Sequence, residues 1–321
     1  MIPLRIQLPM HPETGPVNVY LFTAPEIVLV DTGPSHPGAW TALVDGLAEH
    51  GLAVRDVQRM VITHPHHDHY AQAGRIAAES GAPVWIADVG APWLLDAPGQ
   101  RALRIAYYRD EFLPGIGAPP AVAARVLAGM DAMYATIAPV PPAQVATFPV
   151  GSTLALGGAG WRVLHTPGHA AAQTCFYQPE SRGFLAGDML LRVTPTPVVD
   201  APPPGAARVP CLPQFMDSLA LVEALVIDIV YPGHGPPFGD HRQVIAGQRA
   251  RIQQRKEECL SHIAAGRRTI LDLFPALYAD RATEATFLPA VWMLVGYADL
   301  LLAEGRVAME EIGGVWYYRG I

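Results

Sequence analysis

Thr63-His64-Pro65-His66-His67-Asp68-His69-Tyr70 places four metal-capable side chains, His64, His66, Asp68 and His69, within six consecutive positions. The segment follows Arg59 to Thr63, a short apolar run that reads as a buried strand. On an extended loop, residues two apart point the same way, so His64 and His66 can face one ion. Asp68 and His69 can then serve a second ion beside it. Neutral imidazole suits zinc and other late divalent metals, and carboxylate suits the same ions or harder ones. A lone His-x-His pair reads most simply as a polar surface loop; this density of ligands does not.

Three later segments extend the pattern. His169 stands in Thr166-Pro167-Gly168-His169 after a strand-like run, Trp161 to His165. Asp188 stands in Ala186-Gly187-Asp188 after Gly183 to Ala186, and His234 in Pro232-Gly233-His234-Gly235 after Ile227 to Tyr231. Each lies beside glycine, where the backbone can turn sharply towards a site. Asp31-Thr32-Gly33 closes an earlier run, Ile27 to Val30.

The ordered series His64-x-His66-x-Asp68-His69, His169, Asp188, His234, preceded by Asp31-Thr32-Gly33, resembles the metallo-β-lactamase superfamily over roughly residues 17 to 238. The resemblance implies an α/β fold, a four-layer αβ/βα sandwich of two pseudo-symmetric halves. It implies two divalent ions: His64, His66 and His169 on one, Asp68, His69 and His234 on the other, and Asp188 bridging them. Zinc is the expected metal, and iron and manganese also fit the donors. Asp31 would orient the ligands from behind. His67 and His165 lie inside the motifs at positions that are not ligands in the family. His11, His36, His50, His241 and His262 carry no partner pattern and read as surface or loop residues.

Two adjacent ions can hold a bridging water and lower its pKa towards ~7, giving hydroxide at neutral pH. An ion can also polarise a carbonyl or phosphoryl oxygen. Asp68 is the candidate catalytic residue, orienting the hydroxide or carrying its proton to the leaving group. Such a site serves thioesters, lactones, esters, β-lactams or phosphodiesters. The TPGH and YPGHG segments, with the helical tail, resemble the glyoxalase II and β-lactamase-like thioesterase branch. A small-molecule acyl thioester or related ester is therefore the expected substrate. No basic run is placed to hold glutathione carboxylates.

Residues 241–321 resemble the winged-helix-like C-terminal domain of that branch, some members of which act on RNA. Arg242, Arg249, Arg251, Arg255, Lys256, Arg267 and Arg268 could track phosphates, which makes a metal-dependent endoribonuclease or phosphodiesterase, or a lactonase, the alternative. The favoured reading of this helix is a stripe of Ile245, Ile252, Cys259 and Ile263 packed on the catalytic domain. A non-enzymatic binding module would lack ligands, and none of the seven is missing.

Length and patterning divide the 321 residues into a catalytic domain, 1–239, and a C-terminal domain, 240–321. Residues 89–145 alternate helical stretches with Pro-rich breaks and read as a helical insertion. It would form an apolar lid using Tyr107, Tyr108 and Phe112, while Tyr70, beside the cluster, could stack on or hydrogen-bond a substrate. Of the net charge of −7, the last 82 residues contribute none, with ten basic and ten acidic side chains; the first 239 carry 12 basic and 19 acidic. A domain-wide basic footprint for nucleic acid is missing. Cys175, Cys211 and Cys259 share no paired spacing and read as reduced thiols of a cytoplasmic protein. The start, MIPLRIQLPM, lacks the basic and apolar regions of a signal peptide. The most apolar run, Phe287 to Ala303, is broken by Pro289, Gly296 and Asp299, so a core helix is expected rather than a membrane span.

Overall fold

Short β-branched and aromatic runs bounded by Gly, Pro and Asp become strands. The computed structural model describes residues 2–10, 15–278 and 283–321, so His11 lies outside the described residues. Strands β1 (Leu4–Leu8), β2 (Val17–Phe22), β3 (Val28–Val30), β4 (Arg59–Ile62), β5 (Val84–Ala87) and β6 (Val145–Phe148) form one six-stranded sheet in chain order. The first three pair antiparallel, and β3 to β6 run parallel. Parallel neighbours need crossovers. These are α1 (Pro37–Ala48), then α2 (His67–Tyr70) with α3 (Ala73–Ser80), then the insertion: α4 (Pro92–Leu95), α5 (Ala97–Tyr107), α6 (Leu113–Gly115) and α7 (Pro120–Ala135).

The second sheet has five strands, β7 (Thr153–Leu156), β8 (Ala159–His165), β9 (Thr174–Gln178), β10 (Gly183–Gly187) and β11 (Ile229–Pro232). Only its β10–β11 pair is parallel, and α8 (Cys211–Glu223) lies in that crossover. The tail adds α9 (His241–Ala264), α10 (Ile270–Tyr278), α11 (Glu284–Ala303) and the hairpin β12 (Val307–Ile312) and β13 (Val315–Gly320).

Three buried clusters set the layers. Phe22, Val61, Trp161, Phe176 and Leu185 fill the space between the sheets. Leu43 and Leu47 of α1 and Ile76 of α3 cover the outer face of the first sheet. Phe215 and Leu219 of α8 join Phe184 and Val230 on the second. Each such side chain contributes about 1.5–3 kcal/mol on burial. The expected αβ/βα sandwich is the observed one.

The third cluster also runs through the insertion (Tyr108, Phe112) and the tail (Ile245, Ile252, Leu294, Tyr318), so one core crosses residues 239 and 240. The apolar stripe of α9 is buried as expected. Helix α11 contains an 18-residue stretch, Thr286–Ala303, long and apolar enough to cross a membrane, and half of it is buried inside the protein. Asp299, which interrupts that stretch, is buried and receives a bidentate pair from Arg208 at 2.6 and 2.7 Å.

Two strands were not anticipated. β1 alternates exposed and buried residues at the sheet's edge, and β6 is the opposite edge, directly after a Pro-rich turn. His241 is a further correction: as the first residue of α9 it is buried rather than on the surface.

Candidate metal centre

β4 ends at Ile62 and delivers Thr63 to the space between the sheets' ends. His66 keeps an extended backbone (φ −82°, ψ 147°) and caps the single turn of α2, which brings Asp68 and His69 round to the same place. Thr32 and Gly33, just past β3, donate backbone N–H groups to the His69 carbonyl at 2.6 and 3.3 Å. Asp188 and His234 follow the adjacent parallel strands β10 and β11. His169 follows β8, after Gly168, whose φ of 136° excludes side chains; a Cβ there would also lie 2.4 Å from the Phe215 Cα. Sites at strand ends of this kind are the general location of ligands in layered α/β folds.

The seven side chains meet as two groups, His64, His66 and His169, and Asp68, His69, Asp188 and His234, with ligand atoms in each within 4.8 Å of one another. His66 Nδ1 lies 2.9 Å from His169 Nε2. Asp188 stands between the groups: its Oδ2 is 3.6 Å from His169 Nε2 and 3.4 Å from His234 Nε2, and its Oδ1 is 3.4 Å from His69 Nε2. Asp68 Oδ2 is 3.3 Å from His234 Nε2.

The far nitrogen of each remaining imidazole is engaged, which aims the other inward. His169 Nδ1 donates to the Thr196 carbonyl (2.8 Å) and His234 Nδ1 to the Pro16 carbonyl (3.0 Å). His69 Nδ1 pairs with Asp31 Oδ2 (2.8 Å), and His64 Nδ1 with Thr63 Oγ1 (2.9 Å). A carbonyl can only accept, so His169 and His234 must be protonated on Nδ1. Asp31 adopts φ 63°, a left-handed conformation that Asp tolerates better than most residues. It is pinned by accepting from Thr63 N (2.8 Å), Thr63 Oγ1 (2.9 Å) and His69.

Electrostatics divide the set. Burial, then the neighbouring imidazoles, hold His64 and His66 well below the ordinary imidazole range, and burial lowers His169 too. Burial pushes Asp188 up, but His234 and His69 outweigh it and keep the carboxyl well below the usual range. The result is neutral imidazoles in the first group, while in the second the ionised Asp188 and Asp68 overcome burial and raise His69 well above the ordinary imidazole range and His234 to about 10. His64 Nε2, His69 Nε2 and Asp188 Oδ1 are buried with no hydrogen-bond partner, an expensive arrangement for a protein alone. Divalent ions would satisfy these atoms, so the donor set fits the metals expected from sequence.

The other candidates separate. His67 is half-buried, and His165 Nε2 contacts the Ala171 carbonyl; neither joins the groups. A cleft of about 380 Å³ opens beside His66, lined also by Trp93, Leu103, Arg104, Ala172 and Asp200. Tyr70 instead faces a separate cavity of about 500 Å³ with Trp93, Tyr134 and Ile137. Tyr107 and Tyr108 line neither, and with Phe112 they form core rather than lid. The reason is the tail, which offers a dry partner: the Tyr108 hydroxyl donates to the Val199 carbonyl (2.7 Å) and accepts from Trp292 Nε1 (2.8 Å). Thr196, Arg104 and Asp200 carried no sequence signal, because each meets a partner distant in the chain.

A family model described as the metallo-beta-lactamase superfamily matches residues 12–234. The chain is 26% identical to the probable metallo-hydrolase YqjP of Bacillus subtilis, over 98% of this chain and 97% of that one. It is 30% identical to an atrochrysone carboxyl ACP thioesterase of Aspergillus fumigatus, where the match spans only 44% of this chain and 42% of the relative. Among solved structures, the metallo-beta-lactamase family protein TTHA1429 of Thermus thermophilus superposes with a TM-score of 0.83, at 26% identity over 99% of this chain and 98% of that one. With the ligand series in order and its side chains gathered at the sheets' ends, this chain belongs to the metallo-beta-lactamase superfamily and is a hydrolase of that family.

Proposed function

We propose that the protein hydrolyses a small-molecule acyl thioester or related ester with two divalent ions, zinc by first expectation. His64, His66 and His169 would hold one ion, Asp68, His69 and His234 the other, with Asp188 shared. The observation that carries this is the position of Asp188 between the two groups, within 3.6 Å of His169 and 3.4 Å of His69 and His234. When bound, the ions would supply an acidified water and a Lewis acid for the carbonyl oxygen. Asp68, held ionised because the pull of His69 and other histidines outweighs burial, would accept a proton and return it to the leaving group. The largely apolar cleft beside His66 suits an acyl group, as do the relatives named as thioesterases.

The phosphate-tracking alternative ranks lower because each of its cations already has a partner within the chain. Arg249 pairs with Glu223, Arg255 with Glu258, Lys256 with Glu304 and Arg268 with Glu310. Arg242 donates to the Glu223 and Leu225 carbonyls, Arg251 to Thr194 and Arg267 to the Asp272 carbonyl. We place the reaction in the cytoplasm, a reading supported by three unpaired thiols.

Purified protein should contain close to two divalent ions per chain and lose activity on chelation. In a hydrolysis screen of acyl thioesters, lactones, phosphodiesters and short RNA, thioesters should turn over fastest. RNA cleavage without thioesterase activity would reverse the ranking. Asp31→Asn removes the charge behind His69 and should weaken metal affinity by about 10–100-fold, read by competition with a chelator; unchanged affinity would show that Asp31 only shapes the loop.

A further inference from the structure

One buried cation beside the first histidine group has no part in the chemistry above. Arg104, on α5, is 8% exposed and lines the same cleft as His66. The guanidinium is held from several sides. Its carbon lies 5.9 Å from the Trp93 ring centre and 5.7 Å from the Tyr108 ring centre. Tyr108 is itself fixed by Val199 and Trp292.

The donors of Arg104 are not all used. Nη1 lies 3.2 Å from a single Asp200 oxygen, and Nε is buried with no partner. By contrast, Arg208 and Asp299 close as a bidentate fork at 2.6 and 2.7 Å, the geometry of a self-sufficient ion pair. Asp200 is partly committed elsewhere, since its Oδ2 accepts from Ala171 N at 3.2 Å. An unpartnered buried donor is costly, and here it belongs to a guanidinium side chain that lines an otherwise mainly apolar cleft beside His66.

We propose that Arg104 is a specificity-determining residue that binds an oxygen acceptor, a carboxylate or a carbonyl, carried on the acyl chain of the substrate. The proposal rests on the reading of the protein as an acyl thioester or ester hydrolase. The cleft of about 380 Å³ holds roughly a dozen non-hydrogen atoms at about 30 Å³ each, enough for a short functionalised chain. Such a site discriminates against the analogue that lacks the acceptor, because its own donor is then left unpaired.

The test uses the metal-loaded protein and three S-phenyl thioesters: hexanoyl, its ω-carboxylate analogue adipoyl, and the ketone 6-oxoheptanoyl. At least one oxygenated chain should be favoured over hexanoyl by about tenfold or more in kcat/KM. Which one is favoured separates a carboxylate ligand from a carbonyl. Arg104→Met should bring that ratio close to one, whatever it does to hexanoyl turnover, while Arg104→Lys should keep part of a carboxylate preference. A merely structural Arg104 would change all three substrates alike. Equal turnover of the three by the unaltered protein overturns the proposal without needing any variant, as does a ratio that survives Arg104→Met. Failure to hydrolyse any of the three overturns the reading of the reaction, and the proposal with it.

Discussion

Asp188→Ala is expected to lower kcat/KM on the best substrate by on the order of a thousandfold or more, the scale of several kcal/mol of lost metal-centred stabilisation. Asp188 is the side chain that both histidine groups approach, with His169 on one side and His69 and His234 on the other. Its carboxylate is buried and stays ionised because His234 and His69 outweigh the cost of burial. Without it, two imidazoles lose their common counter-charge and two ions would lose their shared ligand. Asp188→Asn separates the contributions: it keeps the shape and removes the charge. Metal analysis beside the rate measurement should show fewer than two ions in the Ala variant. An Ala variant with two ions and full turnover would remove Asp188 from the centre.

Gly233→Ala should damage the same place through volume alone. A Cβ on Gly233 would lie 2.1 Å from Asp188 Oδ1 and 2.8 Å from His69 Cε1. The backbone is poorly able to retreat, since Gly233 N donates to the Gly187 carbonyl and its own carbonyl accepts from Asn18 N, each at 2.7 Å. Overpacking of this kind costs about 1–3 kcal/mol and sometimes more. The strain falls on Asp188 and His69 and spares His64 and His66. The expected result is a folded protein with a lower Tm, close to one tightly held ion instead of two, and little turnover. Gly129→Ala is the control, because a Cβ there meets nothing within 4 Å. Two ions and normal activity in the Gly233 variant would show that the site tolerates the methyl group.

Both expectations begin from motifs visible in the chain. Asp188 and Gly233 lie in short Gly-containing segments that follow strand-like runs, and strand and ligand order could be read together. The inner strands were legible because their residues are buried on both faces, giving dense apolar runs such as VLV in β3 and GFLAG in β10. The edge strands β1 and β6 were harder to see. Half of β1 faces outward, and β6 follows a turn whose prolines mask the pattern. Aromatic residues in the insertion misled for a related reason: Tyr107, Tyr108 and Phe112 look the same whether they cover a substrate or a neighbouring helix. The choice was made by the tail, whose Trp292 and Trp316 lie against Tyr108 and Phe112.

Through the family resemblance carried by its ordered His, Asp and Gly motifs, the sequence alone pointed to the fold and named the seven side chains that meet at the sheets' ends. Ligand type and strand-end placement are local properties, written in a few consecutive residues. What only the tertiary structure decided is everything that depends on which distant groups share a space. It set the Thr196 carbonyl behind His169 and the Pro16 carbonyl behind His234, gave the cations of α9 partners within the chain, packed Tyr108 against Trp292, and left the Arg104 Nε without a partner. Hydrogen bonds and burial reach only a few ångströms, so the partners of a side chain follow from packing and not from its neighbours in the chain.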